Sequence, residues 1–498
     1  TRRSSDLTEV SDINPIRNLN KIKEMDISNT NITDVSNLKY ANVVQSFKAD
    51  NVKINDISIV AFYKDLNNLS ISNTNVSDIN PLARCNNLST LDLSGTQVND
   101  LSILRNLLKL HDIDISNTFV DDLSSLQGLV NLHFLNLEGS QVTDLSPLAN
   151  LDELTEINFS NTKVANIDVL NNMPHLRKVY CDNSLVSKED INKFKSQNPN
   201  VLVINESSAL AAWWNELPSF WKSLLIEQTN TNIIPSKEEL HAIINVKSLK
   251  VNHFIQDAEP VSRLTNLENL DISDSKIDDL SPLFGMHNLK YLNASNTKVS
   301  DLTPLSNCKN LRELNIENTK VKSLQPLYGL GSIVKIYADG TSVTSQDVIE
   351  LKKIHRQITV IYQTELLRQW WGNLDDTWRD IFNSHLLCNS NPTPEQLQNI
   401  IDIESIVIEP TSSVYTLEPL SQMFFLKKLI VNNNLIADLS PLHDKYFLEV
   451  LSFVGNPVDN ILPLSNLNSL INLNMENTPV SDLNPLATLN NIQVLNIG

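Results

Sequence analysis

A valine or isoleucine recurs every 22 residues at Val10, Ile32, Ile54, Val76, Val98, Val120, Val142, Val164 and Val186. The beat resumes at Ile255, Ile277, Val299, Val321 and Val343, and again at Val414, Ile436, Val458 and Val480. A fixed period of this length restricts the chain to an array in which similar coils lie side by side, each burying its apolar face on its neighbours. One coil has too few buried side chains to offset the entropy of ordering its own backbone. The coils must therefore fold as stacks.

The wording around the beat says how each coil is built. In Leu88-Ser-Thr-Leu91-Asp-Leu93-Ser-Gly-Thr96-Gln-Val98-Asn-Asp100-Leu101, Leu91 and Leu93 alternate with Thr90, Asp92 and Ser94. That is the period of a short strand with one face in the core and the other in solvent. After the beat comes a turn such as Val142-Thr-Asp144-Leu-Ser-Pro147-Leu148, and Asp12, Asp34, Asp56, Asp78, Asp100, Asp122, Asp144, Asp279, Asp301, Asp438 and Asp482 recur in its acidic slot. A carboxylate there can accept from the free N–H groups of a helical turn, so these acids read as caps, not catalytic groups. Thr30, Thr74, Thr96, Thr118, Thr162, Thr297, Thr319, Thr341 and Thr478 occupy an inward slot, with Ser140, Ser184 and Ser275 as equivalents and Asn434 and Asn456 as the amide form. Their polar atoms are expected to satisfy buried backbone groups.

A second period lies over the first. Trp213-Trp214-Asn-Glu-Leu217-Pro-Ser-Phe-Trp221 aligns with Trp370-Trp371-Gly-Asn-Leu374-Asp-Asp-Thr-Trp378 at a shift of 157 residues, which also carries Val98 to Ile255 and Pro235 to Pro392. A whole module is duplicated. Leu210, Trp213, Trp214, Leu217, Trp221, Leu224 and Leu225 follow helical spacing, and Ser236-Lys-Glu-Glu239 and Thr393-Pro394-Glu-Gln396 have the form of capping boxes opening a further helix. These helices are read as N-terminal caps of the repeats that follow, with tryptophan closing the apolar end of the stack. The division expected is repeats over 1–205, a helical cap over 206–245, repeats over 246–362, a second cap over 363–402, and repeats over 403–498. The first two blocks close alike, on Ser187-Lys-Glu-Asp190 and Ser345-Gln-Asp347. The third breaks off in mid-repeat at Leu495-Asn-Ile497-Gly498, so the sequence reads as part of something longer or as a stack whose ends a partner covers.

The Leu88–Leu101 copy fits the pattern LxxLxLxxNxL with Thr96 in the Asn slot, and with the SDLSPL turn it resembles the 22-residue leucine-rich repeats of internalin-like bacterial surface proteins. The resemblance implies an α/β solenoid with short parallel strands on a concave face, and a non-enzymatic module that binds a protein partner at a bacterial cell surface or after secretion. The framework alone carries over. The tandem tryptophan helices depart from a single array, and Phe47-Lys-Ala-Asp50-Asn-Val52-Lys-Ile54 puts valine in the polar inward slot.

Composition narrows the partner. With 58 acidic and 39 basic residues the net charge is −19, and no basic stripe interrupts it, so nucleic acid is not the expected ligand. Four cysteines form no disulfide pattern, and Cys85 and Cys308 fall in matching core slots. No apolar run reaches the roughly 18 residues of a membrane helix, and no leader opens the sequence. Phosphate loops, nucleophile elbows, HExxH and calcium loops are all missing, and the nine histidines show no ligand spacing along the chain. No catalytic residue, metal or cofactor is expected.

The outward strand positions lie four, six and eight residues before each beat. Along them the surface is polar and acidic, punctuated by Phe134, Tyr180, Tyr291 and Tyr337. The most pointed feature is duplicated: Lys178-Val-Tyr180-Cys-Asp182 and Lys335-Ile-Tyr337-Ala-Asp339. Either these tyrosines pack on the helices that follow, or they form a repeated ligand pocket. The candidate partner-binding set is Phe134, Lys178, Tyr180, Asp182, Tyr291, Lys335, Tyr337 and Asp339, facing a protein or peptide of basic character. Two rival readings stand beside it. One is an intracellular scaffold or sensor segment regulating an effector domain, and the other a carbohydrate-binding surface using the tyrosines as stacking platforms.

Overall fold

Three residues of each coil, such as Thr90-Leu91-Asp92, form a strand, and each strand pairs in parallel with its copy in the next coil. The computed structural model describes residues 9–251, 253–386 and 391–498. Among these residues the strands make three sheets in strict chain order, one of nine strands from Glu24–Asp26 to Leu202–Ile204, one of six from Ser248–Lys250 to Thr359–Ile361, and one of five from Ser405–Val407 to Val494–Asn496. Glu24 pairs with Ser46, Ser46 with Asn68 and Asn68 with Thr90, so register advances by the sequence period. The step lengthens where Lys178 pairs with Leu202 and Lys335 with Thr359. There α-helices α1 (Lys188–Gln197) and, in the second block, one over Ser345–Ile354 replace the short turn.

By compactness the chain divides into two units. One holds residues up to Leu217 together with Thr231–Ala242, and the other Pro218–Asn230 with Ile243–Gly498. The helices after α1 are α2 (Ser207–Glu216), α3 (Ser219–Thr229), α4 (Lys237–Ile244), α5 (Ser345–Ile354), α6 (Thr364–Asn373), α7 (Asp376–His385) and α8 (Pro394–Ile401). In the first unit one continuous apolar core runs from Ile13 to Val203. In the second, Leu367, Trp371, Leu374, Trp378 and Phe382 of the helices share a core with the strands and turns of the five-stranded block, through Leu489. The two capping boxes form as the sequence predicts. Ser236 and Glu239 exchange bonds of 2.7 and 3.2 Å, and Thr393 and Gln396 bonds of 2.9 and 3.2 Å.

Inside a coil the recurrent apolar residues all point inward: Leu91, Leu93, Val98, Leu101, Leu104, Leu107 and Leu110 are each at most 2 % exposed. Val10 departs from the beat at 49 % exposed, in the outermost described coil of its stack. The valine at position 52 does not disturb its coil: Phe47, Ala49, Val52 and Ile54 are buried, and Ser46–Lys48 pairs on both sides. The nine inward threonines each donate to the carbonyl three residues earlier, as Thr96 does to Leu93 at 2.6 Å and Thr74 to Ile71 at 2.8 Å. Asn456 does more, accepting from Ile436 N–H while donating to the Val431 and Phe453 carbonyls, so it joins neighbouring coils. Ser140 has no partner for its hydroxyl.

The turn after the beat is a short 3-10 helix, such as Ser102–Asn106 or Ser146–Leu148. All eleven turn aspartates accept from the N–H two residues on, at 2.7–2.9 Å. Hydrogen bonds from Ser146 hold the Asp144 carboxyl below its ordinary value, and Asp34, Asp122, Asp279, Asp301 and Asp438 are lowered in the same way.

A row that the sequence reading passed over stands one residue before the threonines. Asn29, Asn51, Asn73, Asn117, Asn161, Asn183, Asn296 and Asn318 all have positive φ, as do Gly95 and Gly139 at the same slot. Asparagine tolerates that left-handed conformation because its short polar side chain finds local partners. Here the amides bond from coil to coil, Asn51 to Asn29 and Asn73 to Asn51 at 3.0 Å each.

Two outcomes test this framework. A Cβ at Gly95 would meet φ +66° and stand 2.3 Å from Asn73 Oδ1, so Gly95→Ala should lower stability to urea by about 1–3 kcal/mol. Gly128→Ala, with open space around it, should change little. The turn aspartates set an acid limit. For Asp34, Asp122, Asp144, Asp279, Asp301 and Asp438 the folded pKa lies below the ordinary one, so their stabilisation is complete above the ordinary value and is lost as pH falls through the lowered one. The urea midpoint should hold down to about pH 5 and drop below about pH 4.

Candidate functional site

Strand pairing turns the outward positions into columns. In the first unit Asp112, Phe134 and Glu156 stand in one row across three strands, with Asp114, Asn136 and Asn158 in the next column. Phe134 is half-buried between the two acids. The middle column also has a structural duty that sequence reasoning missed. Asp26, Asp92, Asp114, Asn136 and Asn158 each accept from the N–H two residues on at 2.9–3.1 Å, closing the turn that ends the strand. Burial works to raise the Asp26 carboxyl, but bonds from Ser28 outweigh it and leave it lowered.

The duplicated Lys-Tyr-Asp set lies where each strand block meets helices. In the first unit Tyr180 donates its hydroxyl to Glu238 of α4 at 2.9 Å, Lys178 pairs with Glu156 at 3.4 Å, and Asp182 accepts from Ser207 N–H at 2.7 Å while pairing with Lys237 at 3.4 Å. Burial, with Glu238 and Glu156 beside it, raises the Tyr180 phenol. For Glu238 burial acts upward, yet bonds from Ser236, the backbone and Tyr180 hold it below its ordinary value. In the second unit Lys335 pairs with Glu395 of α8 at 3.0 Å and lies 4.9 Å from the Tyr337 ring centre, and the Tyr337 hydroxyl together with Glu395 raises its pKa. Asp339 accepts from both the N–H and the hydroxyl of Thr364, at 2.7 and 2.5 Å, capping α6. Residues 25 apart in sequence are joined the same way twice, Asp182 to Ser207 and Asp339 to Thr364. Of the two tyrosines, Tyr180 bonds a following helix, whereas the contact of Tyr337 is with Lys335 on its own strand.

Tyr291 is placed differently. It is 44 % exposed at the start of its strand and lines an open groove of about 410 Å³ on the outward sheet face, with Lys250, Asp271, Asn293, Glu313 and Asn315. Lys250 and Asp271 pair at 3.2 Å across the groove floor. Burial acts to raise Asp271, but Ser273 and Lys250 leave it lowered.

A second groove of about 410 Å³ in this unit was not signalled by any motif. Lys352, Arg356, Asp402, Glu404, Phe425 and Glu449 line it, Lys352 pairs with Asp402, and Phe425 stacks on Phe447 at 5.8 Å. Burial raises the Asp402 carboxyl, with Lys352 pulling the other way. The available signal was a lysine four residues after Val348 on the apolar side of α5.

Cys85, Cys181 and Cys308 are free and buried, and burial raises the Cys85 and Cys308 thiols to about 11. Cys388 lies outside the described residues. No helix among the described residues is long and apolar enough to cross a membrane.

A family profile described as leucine-rich repeats in two copies matches residues 287–329. The fold is a leucine-rich-repeat solenoid. Solved structures that resemble the chain include an internalin, InlF, from Listeria monocytogenes, at 16 % identity over 96 % of this chain and 88 % of that one, with a TM-score of 0.33. A leucine-rich-repeat protein from Leptospira interrogans matches at 12 % identity over 98 % and 99 %, with a TM-score of 0.33. The plant peptide hormone receptor RGFR1, in complex with RGF2, matches at 12 % identity over 97 % and 75 %, with a TM-score of 0.37. The search of curated proteins gives no match. At such identities and TM-scores, function rests on the chain's own residues.

The contacts separate scaffold from open surface, and a pair of variants checks the separation. Asp339→Ala should cost about 1–2 kcal/mol in urea unfolding, because it strips the cap from α6. Tyr291→Ala should stay within about 0.5 kcal/mol of the parent.

Proposed function

We propose that the chain is a non-enzymatic binding module that docks a protein or peptide along its outward strand faces. The observation that carries the reading is Tyr291, an aromatic ring left open on a rigid sheet and rimmed by Glu313, Asp271 and asparagines. Exposed aromatics in polar surroundings are the usual anchors of protein interfaces. On the strand face of the first unit, Phe134 between Asp112 and Glu156 offers a second anchor of the same kind. Acidic neighbours favour a partner rich in lysine or arginine.

In this proposal Lys178, Tyr180, Asp182, Lys335, Tyr337 and Asp339 position α2, α4, α6 and α8 and leave the docking contacts to Tyr291 and Phe134. The tryptophan helices act as caps for the repeats that follow them, within the division at 205, 245, 362 and 402. Support for the second cap is the core that Trp371 and Trp378 share with the five-stranded block. Placement outside the cell or on a bacterial envelope is the setting that the internalin-like sequence pattern favours.

Panning a random-peptide display library on the immobilised chain tests the reading. Basic peptides should be enriched, and Tyr291→Ala should weaken their binding at least about tenfold without altering the fold. The proposal fails if no peptide is enriched, or if Tyr291→Ala and Glu313→Lys bind like the parent. A response confined to a glycan array would replace it with carbohydrate recognition.

A further inference from the structure

We infer that His111 and His133 form a two-histidine site for a divalent transition ion of the zinc, copper or nickel class. They occupy the same slot in consecutive coils, just before the strands Asp112–Asp114 and Phe134–Asn136. Along the chain they are 22 residues apart and form no ligand motif. Stacking brings them together, with ring centres 5.0 Å apart and planes tilted by 50°.

The spacing fits shared coordination. Two imidazoles bound through one nitrogen each to a tetrahedral ion, with metal–nitrogen bonds of about 2.0–2.1 Å, have ring centres about 5 Å apart.

A second observation concerns the ring nitrogens. His133 Nδ1 lies 2.7 Å from the Asn131 carbonyl. A carbonyl only accepts, so Nδ1 carries the proton, and in the neutral ring the lone pair is on Nε2. That is the arrangement in metal-binding histidines, whose other nitrogen donates to a carbonyl or carboxylate that fixes tautomer and ring orientation. The backbone holds the pair in place as well. His133 N–H donates to the His111 carbonyl at 2.8 Å, His111 N–H to the Ser89 carbonyl at 2.8 Å, and the Thr155 hydroxyl to the His133 carbonyl at 2.9 Å. His111 is exposed and His133 half-buried, so an ion has access.

Neutral imidazole selects zinc, copper and nickel over calcium and magnesium, which require oxygen ligands. No cluster of three or more histidine, cysteine or acidic ligands occurs among the described residues. The site therefore has two protein ligands, and its remaining positions are open to solvent.

The test is titration of the chelator-treated chain with Zn²⁺ and Ni²⁺ by calorimetry, with circular dichroism as a check of fold. The parent should bind one equivalent through this pair. His111→Ala, His111→Gln and His133→Ala should each weaken that binding at least about tenfold, whereas His443→Ala leaves it unchanged. Absence of binding by the parent, or equal binding by the parent and the His111 variants, overturns the assignment. So does equal response to Mg²⁺, which would mark diffuse attraction to carboxylates.

Discussion

Pairing of one three-residue strand with its copy in the next coil is the contact on which every other feature depends. It fixes the distance between coils and brings residues 22 apart into register. It also points alternate side chains either into a shared core or onto a shared surface. A single coil has no second layer to bury its leucines against, so the apolar side chains become a core only once the strands are paired. The turn aspartates and inward threonines settle backbone groups that this arrangement would otherwise leave without partners.

Much of this was legible because it repeats. Leu91, Leu93, Val98 and Asp100 hold fixed offsets, and a fixed offset in a stack means a fixed place in space. The strand blocks, the turn caps and the inward threonines all follow from such offsets. The positive-φ row was legible in principle too, since either Asn or Gly precedes each inward threonine and those two residues share a tolerance for left-handed backbone. The neighbouring threonine carries the stronger repeat pattern and masks it.

What was not legible depends on contacts between residues that no period relates. The ties from Asp182 to Ser207 and from Tyr180 to Glu238 need the path of the chain through a helix pair before they can be drawn. Lys445 shows the same limit. It fills a column held elsewhere by Leu107, Leu129, Leu151 and Leu467, and is completely buried. Its ammonium is met by the Ser421 carbonyl at 3.1 Å, by Asp444, and by the Phe424 ring 5.0 Å away. Burial lowers its pKa, with Asp444 opposing. An isolated lysine among leucines reads from sequence as a surface residue, and only the local partners explain why it is not. The candidate surface divides similarly: exposed aromatics can be suspected from the alternation, but which ring stays open depends on where the helices dock.

The asparagine row also bears on how such an array can change length. Asn73 fills the space where a side chain at Gly95 would go, and the same relation links Asn117 to Gly139, Asn318 to Gly340 and Asn433 to Gly455. A glycine coil leaves room for the amide before it, whereas an asparagine coil meets that amide with a hydrogen bond, as Asn51 and Asn73 do. Recombination that inserts or removes repeats would be tolerated where either of these two residues follows an asparagine and resisted where a residue that offers neither lands behind one. The history of duplication in a gene of this kind should bear the mark of that rule.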